Sequence, residues 1–243
     1  MKYYEGHDAA YRRLKAEGHV TWDRRDYDDC YLKPFLDRAL KGLSFSVAKP
    51  RALEVGCGTG PASAFLAQHG FDVTGIDLSE TALEIAQLQA KRLGLKITYL
   101  KQDWLTFSTD EKFDLVLDGH CLHCIVFDED RRRALETTRA LLHPGGYFAM
   151  ETMSFRATMD FGPQFRLDTD GVLWVKVARD NSLGPVEKWG DWYLPNRRLL
   201  HAEQLVCELK SAGFRILESK TVREEDPRHS DLFQAICTTE SRG

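Results

Sequence analysis

Ala52-Leu53-Glu54-Val55-Gly56-Cys57-Gly58-Thr59-Gly60-Pro61 is the stretch that decides how this chain is read. An apolar-rich run carrying one acid passes straight into three alternate glycines, and a helical pattern starts at the proline. That order is a buried strand, a tight turn and a helix N-terminus, an arrangement that presents backbone N–H groups to a ligand. Each glycine removes a Cβ where the chain must turn sharply or come close to a bound molecule. Pro61 suits the first helical turn, where N–H groups have no intrahelical acceptor in any case.

Moving outward, strand and helix alternate. The helix opened by Pro61 runs to about residue 69, where Gly70 stops it. Residues 71–76 read as a second strand ending in Asp77, and Ser79 is a good N-cap for a helix over 80–93. A third strand over 96–100 ends near Gln102-Asp103-Trp104, and a fourth over 113–117 ends at Asp118-Gly119-His120. A helix over 128–142 stops at Pro144-Gly145-Gly146, and a fifth strand covers 147–153. Five such alternations predict parallel strands, right-handed crossovers and helices on both faces. Ligands of such sheets lie across the carboxyl ends of the strands. Glu54–Gly60, Asp77, Asp103 and 118–123 all fall there.

Upstream, a short helical signal spans 9–16, and apolar spacing predicts a helix over 26–43 that Pro34 kinks or divides. After Met153 the rhythm breaks. Residues 155–197 hold Trp174, Trp189 and Trp192 among glycines and prolines, and read as a hairpin insertion with strands near 171–177 and 188–194. Pattern resumes with a helix over 201–212 and strands over 214–223 and 231–239. The short polar link between the last two makes that pair antiparallel. The expected organisation is an N-terminal helical cover over 1–45 and one α/β domain over 46–243 that carries the insertion.

Composition narrows the function classes. Of 243 residues, 43% are hydrophobic and 29% charged, with a net charge of −4, so no overall basic field attracts nucleic acid or an anionic membrane. No apolar run approaches the ~20 residues of a membrane span, and Met1–Asp8 lacks a signal-peptide core. Six scattered cysteines do not form a disulfide framework and point to a reducing cytoplasm. The run Arg131-Arg132-Arg133 reads as a solvated helix face.

The first half offers a coherent site. N–H groups at 58–61 suit a carboxylate or other anion, and Asp77, 21 residues after Gly56, stands where an acid receives two ribose hydroxyls. Asp103 can accept from an exocyclic amine while Trp104 covers a flat ring. A purine nucleoside with a polar tail is implied.

At this point the residues resemble a family. Leu53–Gly60 is similar to motif I of class I S-adenosylmethionine-dependent methyltransferases, Gly75-Ile76-Asp77-Leu78-Ser79 to their second motif, and Gln102-Asp103-Trp104 to their third. Phe113–Asp118 and Leu141–Gly146 match two more. The resemblance covers 51–153 well and 199–239 loosely. It implies a Rossmann-like, doubly wound seven-stranded α/β sheet of order 3-2-1-4-5-7-6 with strand 7 antiparallel. It also implies S-adenosylmethionine as cofactor and S-adenosylhomocysteine as product. Carried over, Gly56, Cys57, Gly58 and Gly60 admit the methionine moiety, and Glu54 orients the loop, or the amino group through water. Asp77 takes the ribose, Leu78 the adenine face, Asp103 the adenine N6 with Trp104 beside it, and Asp118 and Gly119 lie under the sulfonium end. Trp22, Arg24, Tyr27 and Tyr31 are candidates for the cover.

A base for the methyl acceptor should project from the fourth strand's end, where His120 and His123 stand. A helix-start or packing histidine is the competing reading for both. Cys121 and Cys124 complete a His-Cys-rich segment, but structural zinc draws ligand pairs from separate segments, so no metal is expected. The tryptophan-rich insertion is expected to wall an apolar or aromatic small-molecule acceptor, with Trp192 as the test; a satellite core is the alternative. A monomer or homodimer is expected, with no nucleic-acid or membrane partner. Two other functions remain open: a catalytically silent S-adenosylmethionine-binding module, and a nicotinamide-dependent oxidoreductase. Against the second, Pro61 stands at the third fingerprint position.

Overall fold

A computed structural model describes residues 3–239. In chain order the elements are α1 (His7–Ala16), α2 (Lys33–Gly42), β1 (Arg51–Val55), α3 (Pro61–Gln68), β2 (Asp72–Asp77), α4 (Glu80–Arg92), β3 (Ile97–Lys101), β4 (Phe113–Gly119), α5 (Asp128–Leu141) and β5 (Leu142–Ser154). They continue with β6 (Phe165–Leu167), β7 (Val172–Lys176), β8 (Val186–Lys188), β9 (Asp191–Arg198), α6 (Ala202–Ser211), β10 (Phe214–Val222) and β11 (Asp231–Thr239). A 3-10 turn at Leu122–Cys124 follows β4.

The main sheet has the order β3-β2-β1-β4-β5-β11-β10. Pairs among β1 to β5 are parallel, and β11 runs antiparallel to both β5 and β10. This is the 3-2-1-4-5-7-6 order with the insertion's strands set aside. Strand side chains alternate between faces with period two, so each central strand feeds two cores. Leu53, Val55, Val116, Phe148, Met150, Ala235 and Cys237 pack toward α5 and α6. Their neighbours Ala52, Leu115, Leu117, Ala149 and Ile236 pack toward α2 and α3. Both faces are covered, which is why these strands read as apolar runs.

Four expectations change. The helix expected over 26–43 begins only at Lys33, with Pro34 in its first turn. A helix begun at residue 26 would need an N–H at position 34, which proline lacks. The freed residues instead point hydroxyls at the sheet's carboxyl edge: Tyr27 Oη donates to Thr59 O (3.0 Å) and Tyr31 Oη to Gly119 O (3.2 Å). Strand β5 starts five residues earlier than expected, at Leu142, and takes Pro144-Gly145-Gly146 in as an irregularity between the Phe113–Leu142 and Leu115–Tyr147 pairs. Arg131 is not on a solvated face. It is 1% exposed, and its guanidinium binds both carboxylate oxygens of Glu208 on α6 (2.7 and 2.7 Å) and the carbonyls of Leu122 (2.7 Å) and Ile125 (2.9 Å). Arg132 and Arg133 do face solvent, paired with Glu129 and Glu136.

The insertion is larger than one hairpin. It forms a separate antiparallel sheet of order β6-β7-β9-β8, with Val172, Trp174 and Tyr193 packed on Val126 and Tyr3. Trp174 donates its indole N–H to Asp168 (2.7 Å), with the Lys188 ammonium 4.2 Å over the ring. No helix among the described residues is long and apolar enough to cross a membrane.

Candidate functional site

At the carboxyl ends of β1, β2 and β4 lies a cavity of about 580 Å³. Its floor is the glycine turn. Cys57 N–H donates to Ile76 O and Gly60 N–H to Cys57 O, both at 2.9 Å. Gly56 and Gly58 hold φ of +62° and +53°. A Cβ on Gly56 would collide with the Cys121 sulfur, and one on Gly58 with the Tyr11 hydroxyl. Side chains at either position would therefore be strained and would also displace a cavity wall.

Asp77 closes β2 beside this floor. Its two carboxylate oxygens accept from Gly58 N–H and Ser79 N–H, each at 2.8 Å. Burial raises its pKa, opposed by those same N–H groups. Glu54, 3% exposed, accepts from Ser63 Oγ, and burial pushes its carboxyl up to about 8.

Helix α1 roofs this end. Asp8 accepts from Ser79 Oγ (2.6 Å), Tyr4 Oη donates to Asp103 (3.1 Å), and Lys15 pairs with Glu84 on α4 (2.7 Å). The Trp22 ring meets Tyr11 edge to face at 5.2 Å.

The opposite wall is the segment after β4. Asp118 is fully buried and accepts from Cys121 N–H (2.7 Å) and Leu122 N–H (3.2 Å), which starts the 3-10 turn. Burial lifts its carboxyl to about 7 against those bonds. His120 has φ +70° and is fixed by two contacts to one residue. Its N–H donates to Glu151 O, and its Nε2 lies against Glu151 Oε1, both at 2.9 Å. Glu151 is itself held by Gln234, which accepts from Arg38 (2.6 Å). His123 is buried with Nδ1 3.2 Å from Thr152 Oγ1, and burial drops its pKa to about 4. Burial opposes ionisation of the Cys124 thiol, but the Arg197 guanidinium outweighs it and holds that thiol well below the usual range. Phe161, Phe165, Leu173 and Met153 complete an apolar end.

The cavity thus brings together Trp22, Glu54, Gly56, Cys57, Gly58, Asp77, Leu78, Asp103, Trp104, Gly119, His120 and His123. Trp104 presents only an edge, since it is 4% exposed with its N–H on Thr138 (3.0 Å). Four other sequence candidates lie off the cavity wall. Gly60 is needed where Tyr99 packs behind the loop, and Asp118 is consumed by the turn. Tyr27 braces Thr59 from outside, and Arg24 pairs with Glu17 at the surface (2.8 Å). Trp192 is also off the wall, under the Arg179 guanidinium at 5.2 Å. Sequence reasoning missed Tyr4, His7, Tyr11 and Arg197, which line the cavity. The first three recur at helical spacing on one face, a legible signal. Arg197 carried none, because nothing local says where the insertion folds.

The fold and the strand-end site define a Rossmann-like methyltransferase architecture. A family model described as "Methyltransferase domain" matches residues 52–146. Among curated relatives, a ubiquinone biosynthesis O-methyltransferase of Coxiella burnetii is 35% identical over 169 residues, 68% of this chain and 64% of that protein. A protein of the same name from Bordetella avium is 33% identical over 117 residues, 47% of each. The alignments thus span between about half and just under two thirds of these relatives. Among solved structures, an S-adenosylmethionine-dependent methyltransferase of Clostridium acetobutylicum superposes with a TM-score of 0.65 at 19% identity, covering 89% of this chain and 93% of that one. The 1,6-didemethyltoxoflavin-N1-methyltransferase of Burkholderia thailandensis, solved with its substrate and S-adenosylhomocysteine, superposes with a TM-score of 0.65 at 18% identity, covering 96% and 87%. Residues 52–146 thus match a methyltransferase domain, and the chain shares the fold of solved S-adenosylmethionine-dependent methyltransferases.

Proposed function

We propose that the protein transfers a methyl group from S-adenosylmethionine to a small-molecule acceptor. The observation that carries this reading is Asp77, a half-buried carboxylate locked at the end of β2 by Gly58 and Ser79 N–H groups beside a glycine floor. A carboxylate so placed receives vicinal ribose hydroxyls. The turn at Gly56–Gly58 then carries the methionine portion, with Glu54 beneath it. Leu78, Asp103 and Trp104 border the adenine, and the roof of α1 with Trp22 excludes water.

Methyl transfer is an in-line displacement with a good leaving group, so the protein supplies alignment, desolvation and, for a hydroxyl acceptor, removal of a proton. The names of the curated O-methyltransferase relatives support an oxygen acceptor. His120 is the base. A carboxylate oxygen only accepts, so His120 Nε2–H donates to Glu151 and Nδ1 keeps its lone pair. Glu151 is the positioning residue. His123, neutral and bonded to Thr152, supports the turn rather than taking the proton. The apolar end formed by Phe161, Phe165 and Leu173 suits an apolar or aromatic acceptor, and the net charge of −4 does not favour a nucleic acid. Six unbonded cysteines fit a reducing cytoplasm.

Calorimetry with S-adenosylmethionine, S-adenosylhomocysteine and NAD tests the donor. Binding of the first two and not of NAD is expected; binding of NAD alone overturns the proposal. Acceptor screening with coupled S-adenosylhomocysteine detection tests turnover. Donor binding without turnover on any acceptor would leave a silent binding module in its place.

A further inference from the structure

Methyl transfer leaves one cluster of the cavity without a role. Cys121 and Cys124 are three residues apart, and the turn between them is closed by Cys124 N–H donating to Cys121 O at 2.8 Å. The intervening turn is 3-10. In that geometry residues i and i+3 eclipse, with a rise of ~2 Å per residue. Their Cα atoms are then ~6 Å apart, within the ~4.4–6.8 Å span a disulfide bridges. Both residues line the cavity and are half-buried there.

Their surroundings differ. The Cys121 sulfur occupies the space above Gly56, close enough that a Cβ there would strike it. Cys124 faces His7, His123 and Arg197, which come from α1, the same turn and β9. Arg197 Nη1 is 3.2 Å from His7 Nε2, a contact that holds the guanidinium on one side of the sulfur. Burial and the nearby Asp118 carboxylate keep the Cys121 thiol protonated, whereas Arg197 favours the Cys124 thiolate. A nucleophilic thiolate beside a protonated partner is the asymmetry that thiol–disulfide exchange uses.

We propose that Cys124 and Cys121 form a thiol-modification site in which Cys124 attacks a low-molecular-weight disulfide and Cys121 resolves the product. In the first step the Cys124 thiolate bonds to one sulfur of the disulfide and expels the other as a thiolate. In the second, Cys121 loses its proton to that expelled thiolate and bonds to the Cys124 sulfur, releasing the second small thiol. Two cysteine thiols are oxidised and one disulfide is reduced to two thiols. The new bond draws the Cys121 sulfur off the glycine floor, which couples the redox state to the cavity.

Glutathione disulfide is the probe, on the full-length protein. Both cysteines fall in one tryptic peptide, residues 113–131, that contains no other cysteine. Mass spectrometry should show this peptide losing two hydrogens, with recovery on reduction. C121S should stop at the glutathione adduct on Cys124, and C124S should give neither product. R197Q should shift the pH midpoint of Cys124 modification upward. Retention of both thiols in that peptide, modification confined to exposed Cys207, or a C121S protein without adduct would each overturn the proposal. The chemistry does not need the donor. Only protection by S-adenosylhomocysteine, expected to slow oxidation at least tenfold, rests on the proposed function. Oxidation without protection would count against the donor reading and leave the dithiol standing.

Discussion

Arg131→Met removes a guanidinium from the interior while keeping most of the aliphatic stem. The wild-type side chain is 1% exposed and makes four charge-assisted bonds, two to Glu208 and one each to Leu122 O and Ile125 O. Removing one partner of a fully buried pair costs ~3–5 kcal/mol. Glu208 retains 23% of its side-chain surface, so water recovers part of that loss and the pair accounts for about 1–2 kcal/mol. The two carbonyls lose their donors in a dry setting, at roughly 1 kcal/mol each or somewhat more. The total is about 3–4 kcal/mol. For a chain of this size, ~2–4 °C is lost per kcal/mol, so a Tm drop on the order of 10 °C is expected. Urea unfolding should show the midpoint shift with little change in slope. The E208M/R131M pair should recover the Glu208 share and not the carbonyl share. Because those carbonyls flank the turn that carries His123 and Cys124, S-adenosylhomocysteine affinity should also fall. A loss under about 1 kcal/mol for R131M would refute the clamp.

Three further outcomes follow from the geometry. Gly56→Ala places a Cβ at φ +62° against the Cys121 sulfur; S-adenosylhomocysteine affinity should fall at least tenfold by calorimetry, and wild-type affinity would show that the floor does not touch the donor. Glu54, raised by burial to about 8 in the fold, is ordinarily near ~4.3. The folded state therefore binds its proton more tightly, and stability is lost as pH rises from about 4 through about 8. Glu54→Gln should flatten Tm against pH over that window, and an unchanged slope would refute the assignment. Trp192→Ala should leave donor and acceptor affinities within about twofold, since the indole lies under Arg179 and off the cavity; a large acceptor-specific loss would restore the expectation drawn from the insertion's composition.

The sequence by itself determined the main sheet and the acidic residues that gather at its carboxyl edge. Strand period, glycine stops and the N-cap at Ser79 are local signals, and β2, α4 and β11 fall where those signals put them. Glu54, Asp77 and Asp103 were legible because a parallel sheet fixes where strand ends go, whatever surrounds them. Tertiary structure decided the rest. Arg131 looks like its neighbours Arg132 and Arg133 until α6 brings Glu208 to it. Asp118 matches a donor-site position in the motif, yet its oxygens are taken by the turn it starts. The cavity wall after β4, with His120 against Glu151 and Arg197 beside Cys124, joins residues 31 and 73 positions apart. Such pairings depend on sheet register and on how the insertion packs over the cavity, and no local periodicity encodes either.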